Sequence, residues 1–365
     1  MRILRHDVRD LSLAFGLAFD LRRITQAGSA LCWTMVVAMG VVGVLSWRIT
    51  GGDPMAPEGI TGAWQSLTET PWTPLKAISW TLIFSAWWAG FAYLCAPVQR
   101  SAAMDIARDE RDRVANIPIL NRQSAFGPLM MLIFPGLMFV VVLVWSLLTL
   151  IPGTTGAVIA AVSLPFAMIA AVAGAAFFVV GTLAAPMMGP TAVVEGRDYL
   201  EVVSRPMSYV MQRPGRYFSY WAAKLGVLAA CMLAGGAVLA VAWGFVWLAL
   251  WLIGQSETAE AAYRFAVGTG GLETNLAAFG IAVVAWGSGF LLIAWLMAVS
   301  LSTDLIIYML MRYQIDGVTF DKIMVAEEHT DPLKTAVETA EEAEEARKRF
   351  DEAKKPEVED APQTA

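Results

Sequence analysis

From Arg122 to Glu195 the chain carries no charged residue at all, and the only punctuation in this long apolar stretch is the cluster IPGTTG at 151–156. No soluble domain hides an interval of that length. An α-helix needs about 20 apolar residues to cross the roughly 30 Å hydrocarbon core, where its backbone must be satisfied internally. The interval therefore reads as two membrane helices joined by a tight turn. Four further segments of similar character give six spans, at about 28–47, 77–97, 128–150, 157–184, 221–252 and 277–310. The expected fold is an all-α, six-span transmembrane bundle, arranged as three helical hairpins if the pairing of spans is regular, with interfacial helices and a charged C-terminal tail. A segment 1–27 precedes the span region 28–325, and an acidic segment follows at 326–365.

Composition agrees. Hydrophobic residues make up 57% of the 365 and charged residues only 16%, outside the usage of soluble domains. The net charge of −6 is misleading, because Glu327 to Ala365 alone holds 13 acids against 6 bases and leaves the body close to neutral. That balance excludes a nucleic-acid partner, which needs clustered Lys and Arg facing phosphates. The tail sequence AVETAEEAEEARKRFDEAKK suits a solvated helix ending at Pro356.

Orientation follows from the distribution of Lys and Arg in the connections. Arg2, Arg5, Arg9, Arg22 and Arg23 precede the first span. Arg100, Arg108, Arg111, Arg113 and Arg122 follow the second, and Arg197, Arg205, Arg213 and Arg216 follow the fourth. The other side offers only Arg48, Lys76 and Arg264. Both termini are expected in the cytoplasm of a bacterium, with the protein in its inner membrane. The segment GQSETAEAAYRFAVGTGGLETN is expected as an outward connection.

Catalytic and metal motifs are missing from the sequence. Histidine occurs only at His6 and His329, and there is no HExxH, Walker-type loop or GxSxG. Cys32, Cys95 and Cys231 lie far apart, as small hydrophobes do. Asp105, Asp109 and Asp112 stand three to four residues from Arg108, Arg111 and Arg113, which predicts intrahelical pairs rather than a metal site. The sequence thus points to a protein that is not an enzyme and has no cofactor.

Ionisable groups within spans are costly and usually paired or functional. Asp304, in SLSTDLIIYMLMR, and Lys224, in YWAAKLGVL, enter from the same side of the membrane and form an ion-pair candidate. Pro135 and Pro165 sit near the middle of spans three and four, where each frees a carbonyl and can kink its helix. Such interrupted helices build substrate sites in transporters. Trp243, Trp247 and Trp251 share one helix face as an interfacial anchor.

The densest polar stretch is EGRDYLEVVSRPMSYVMQRPGRYFSYW, Glu195 to Trp221. Pro186 and Pro190 are expected to close the fourth span, Asp198 to cap a helix from Tyr199, and Leu200, Val203, Met207 and Val210 to form its apolar face. Arg205, Arg213 and Arg216 are placed to meet lipid phosphates, with Tyr209, Tyr217 and Tyr220 in the headgroup zone. The stretch resembles the EGxD…SRxxSYVxxRP cytoplasmic segment of a family of polytopic membrane proteins from planctomycete-type bacteria. Glu195, Gly196, Asp198, Ser204, Arg205, Ser208, Tyr209, Arg213 and Pro214 carry the likeness, while Arg197 and Pro206 depart from it. AFDLRRI, RSAAMDIARDER and YMLMRYQIDGVTFDKI extend it over most of residues 15–325. The resemblance implies the six-span topology and a bacterial origin, and no activity. Two functions are thereby expected as alternatives. One is a non-enzymatic protein whose cytoplasmic elbows bind lipids, a protein partner or a second copy, with Glu195, Asp198, Ser204, Arg205, Tyr209 and Arg213 as the recognition residues. The other is a transporter or channel subunit built on the kinked spans and Asp304/Lys224.

Overall fold

The computed structural model describes residues 7–50, 62, 65, 74–108, 118–148, 150–151, 153–196, 199–266 and 276–320. Asp198 and the acidic tail lie outside the described residues. A 3-10 turn, Val8–Ser12, leads into α1 (Leu13–Leu17), α2 (Leu21–Thr50), α3 (Pro74–Arg108), α4 (Pro118–Met130) and α5 (Ile133–Leu148). These are followed by α6 (Thr154–Glu195), α7 (Tyr199–Gln212), α8 (Pro214–Leu252), α9 (Ser256–Ala266) and α10 (Leu276–Asp316). No strand occurs among the described residues. Six helices are long and apolar enough to cross a membrane: α2, α3, α4 with α5, α6, α8 and α10. The protein is a multi-pass, all-α membrane bundle.

The helices overrun the apolar segments that announce them. α6 has 42 residues and α10 has 41, so at 1.5 Å per residue each is about 60 Å long, roughly twice the hydrocarbon thickness. Pro186 and Pro190 do not close the fourth span. α6 runs through both and stops only at Gly196, whose φ of 58° places it in the left-handed region and whose N–H caps the helix on the Ala192 carbonyl. Each proline removes one backbone bond without breaking the helix, because packing against α3, α4, α7 and α10 holds the segment in place. Span three is interrupted at Met131 and Leu132, just ahead of Pro135, which sits in the first turn of α5 where a missing N–H costs little. Pro165 lies inside α6 and is exposed. The connection after α8 holds the helix α9, packed on α8 and α10, where the sequence suggested only a loop.

The main buried cluster lies toward one end of the bundle. The buried core draws on the starts of α2 and α8, the final turns of α3, α6 and α10, and α7. Much of it is alanine with no exposure, including Ala27, Ala96, Ala102, Ala184, Ala192 and Ala298. Such small residues let membrane helices approach closely. Toward the other end the same helices expose Val36, Met39, Phe139, Phe166, Leu233 and Phe245, the apolar surface that lipid tails cover. α10 is the common partner, touching α1, α2, α3, α6, α7, α8 and α9. Its most apolar stretch is 61% buried, against 22% or less for the other spans.

Candidate functional site

Polar residues recur on α10 at four-residue intervals: Ser300, Asp304, Tyr308, Arg312 and Asp316. Steps of four keep them on one slowly turning stripe, and the stripe connects two sites at different depths.

The shallower site is centred on Glu195, the last residue of α6, whose side chain is 2% exposed. Arg205 of α7 approaches it at 2.7 Å through Nη1, and Arg312 of α10 lies 3.0 Å away through Nε. The Tyr308 hydroxyl donates to Glu195 Oε1 at 2.5 Å. Beside this cluster the Tyr209 hydroxyl donates to Asp316 Oδ2. A buried carboxylate is tolerated only with such a set of partners, and this one ties three helices together. Burial, followed by the Asp316 hydrogen bond and charge, pushes the Tyr209 phenol well above its ordinary pKa and keeps it neutral. For Arg205, burial pulls down, and the Glu195 carboxylate together with Tyr209, Tyr308 and Glu201 outweighs it, so the guanidinium stays charged.

The recognition residues expected in this segment therefore divide. Glu195, Arg205 and Tyr209 turn inward and bond to one another's surroundings, and Tyr217 and Tyr220 are also buried rather than in a headgroup zone. The Tyr217 hydroxyl donates to the Leu183 carbonyl. Ser204 and Arg213 are exposed and are not brought to Glu195. The apolar face of α7 is Val202, Val203, Pro206, Met207 and Val210, while Leu200 is 72% exposed.

The deeper site is the Lys224–Asp304 pair. Nζ of Lys224 donates to Oδ1 of Asp304 at 2.6 Å, joining α8 to α10, with both residues buried. Asp304 also lines a cavity of about 360 Å³ between α3, α4, α6 and α10. Two prolines, Pro128 of α4 and Pro186 of α6, stand in its wall, as do Ser124 and Thr182, the residues four positions before them. A proline leaves the carbonyl four residues back without its helical donor, so both interrupted turns face the cavity. Neither Pro135 nor Pro165 lines it. Gln99 and Trp88 of α3 complete the polar lining, and Gln99 Oε1 and Trp88 Nε1 are buried without a hydrogen-bond partner.

A third buried cluster escaped the sequence reading. Arg23, 1% exposed, donates from Nε to Ser101 Oγ at 2.8 Å, from Nη1 to the Leu17 carbonyl at 2.5 Å, and from Nη2 to the Ser101 carbonyl and to Asp105 Oδ2 at 3.0 and 3.1 Å. The expected pairing of Asp105 along its own helix falls on the Arg108 side chain, outside what the structure describes, and Asp105 is held across helices. The reason is burial: at 4% exposure its charge needs a partner within the core. Nearby, Arg100 Nη1 donates to the Val193 carbonyl at 2.6 Å. The tryptophan row behaves as an exposed face, with Trp247 and Trp251 at 45% and 66% exposure, while Trp243 Nε1 donates to Ser288 Oγ at 3.1 Å.

Among the described residues no group of three or more His, Cys, Asp or Glu is placed to hold a metal ion. Comparison with known protein families, characterised proteins and solved structures finds no match for this chain. The reading of its function therefore rests on the two sites alone.

Proposed function

We propose that this protein is a non-catalytic, multi-pass component of the bacterial cytoplasmic membrane, both termini inside, that admits a small solute to the cavity beside Asp304 as a transporter or channel subunit. One observation carries the reading: a 360 Å³ cavity is walled by two proline-interrupted helices and a buried carboxylate. Small-ligand sites share this character, being mostly apolar with a few convergent polar groups, and interrupted helices are how transporters bring backbone oxygens to a substrate.

Lipid or protein recognition by the α7 elbow has less to support it. Glu195, Arg205 and Tyr209 commit their polar groups internally, and of the described recognition residues only Ser204 and Arg213 face outward.

Cys95 lines the cavity and offers the test. In a Cys32→Ala/Cys231→Ala background, a small water-soluble methanethiosulfonate should modify Cys95, and Ser300→Cys in the same background, in intact membranes, whereas a bulky maleimide should not. If both positions react only after solubilisation in dodecyl sulfate, the cavity is closed to solute and the reading fails.

A further inference from the structure

We infer that the cavity holds a single monovalent alkali-metal cation on Asp304, and that this ion and the Lys224 ammonium compete for the same carboxylate. The inference rests on the solute-accessible cavity proposed above and names its ligand.

The cavity wall gathers several oxygen acceptors around Asp304. Gln99 is 4% exposed and its Oε1 has no donor. Asp304 gives only Oδ1 to Lys224, and among the described residues Oδ2 receives no hydrogen bond. The Thr182 hydroxyl donates to the Phe178 carbonyl at 2.8 Å, so its lone pairs are what it presents. Pro128 and Pro186 add the carbonyls of Ser124 and Thr182, stripped of their helical N–H groups. Donors are present too, in Trp88 Nε1–H, the Gln99 amide and the Ser124 and Ser300 hydroxyls, but none of them carries a charge to set against the Asp304 carboxylate. Neutral oxygens grouped around one carboxylate are the donor set of a hard ion.

Charge then selects the valence. One carboxylate balances one positive charge, and the ammonium already nearby penalises a divalent ion. Lys224 reaches Asp304 from α8 and is not part of the cavity wall, so an ion entering from the cavity meets the opposite side of the carboxylate. Its arrival loosens the ammonium, whose flexible stem lets it swing along α8 toward the bundle end. Gly189 keeps the site open. A Cβ there would lie 2.5 Å from Gln99 Oε1, so only glycine leaves the amide where it is.

The test uses purified full-length protein in nanodiscs, titrated with ²²NaCl, or with KCl as competitor, at constant ionic strength made up with choline chloride. Wild-type protein should bind Na⁺ saturably. Asp304→Asn should abolish binding, and Gln99→Leu should weaken it several-fold. Lys224→Met should tighten it about tenfold, since it removes a charge-assisted competitor, and should make thermal stability depend on Na⁺ but not on choline. The Lys224→Met measurements stand even if Asp304→Asn does not fold. Saturable binding that survives Asp304→Asn, or that Lys224→Met leaves unchanged, overturns the inference. Absent binding in both wild type and Lys224→Met, with Cys95 still reactive, overturns the cation and leaves the cavity reading intact. Absent binding together with an unreactive Cys95 overturns both.

Discussion

Two of the buried ion pairs that hold this bundle are alike in burial and in spacing along the chain and differ in how fully the cation is engaged. Arg23–Asp105 and Lys224–Asp304 each join the early part of one span to the late part of the next, with partners 82 and 80 residues apart. A duplicated hairpin would leave such near-equal separations, although the middle hairpin carries no counterpart among the described residues. Arg23 spends its guanidinium on four acceptors. Lys224 makes one hydrogen bond, and its acid stands in a cavity wall. Burial alone thus fails to tell a structural lock from a working site. Saturation does: a cation whose donors are mostly used fixes geometry, while one held by a single bond can exchange.

The largest effect is expected where most of the donors are used. Arg23→Ala strips Asp105 and two carbonyls of a shared donor and should lower stability by about 3–5 kcal/mol, read as a fall in the thermal midpoint of the detergent-solubilised protein. A loss of under about 1 kcal/mol would put Arg23 on the same footing as Lys224 and dissolve the contrast. Glu195→Gln comes next, because it leaves Arg205 and Arg312 facing a neutral amide, and about 1.5–3 kcal/mol should be lost. Proteolysis between α6 and α7 should then quicken, as that carboxylate joins Arg205 of α7 to Arg312 of α10. Gly189→Ala should push the flexible Gln99 amide aside at little cost in stability and slow the modification of Cys95. An unchanged labelling rate would mean that Gln99 can give way freely. Comparably small is the paired change Lys224→Met with Asp304→Leu, which removes both charges at once and should stay within about 1 kcal/mol of wild type while losing Na⁺ binding. Arg23→Met with Asp105→Leu should not be so mild, since the Leu17 and Ser101 carbonyls also lose their donor.

Much of the fold could be read from the sequence because lipid imposes a blunt requirement, about 20 apolar residues per crossing, and six stretches meet it. Where the helices end was less legible. Pro186 and Pro190 look like stops in one dimension, and only the neighbouring helices explain why α6 continues to Glu195. Lys224 and Asp304 stood out as charges in oil, and their similar depth suggested a pair. The Arg23 partner of Asp105 was not legible in the same way, because Arg108 at helical spacing offered a nearer candidate than a residue on another helix. Gln99 and Trp88 gave no signal, being single polar groups of types common in membrane helices. Tyr308 and Arg312 did leave one, the four-residue recurrence through Ser300, Asp304 and Asp316, which becomes visible once α10 is read as a helix extending past its apolar segment.

The position of α10 has a mechanical consequence. Asp304 fastens it to α8, and Arg312, two turns and about 12 Å further along, fastens it to α6. Two pins at different heights on one rod fix both how far it has slid and how far it has turned, so a screw motion by even one residue would pull both at once. Any rearrangement that opens the cavity while Glu195 stays engaged must leave α10 standing as the axle and swing the helices around it, with the interrupted turns at Pro128 and Pro186 as the joints that yield.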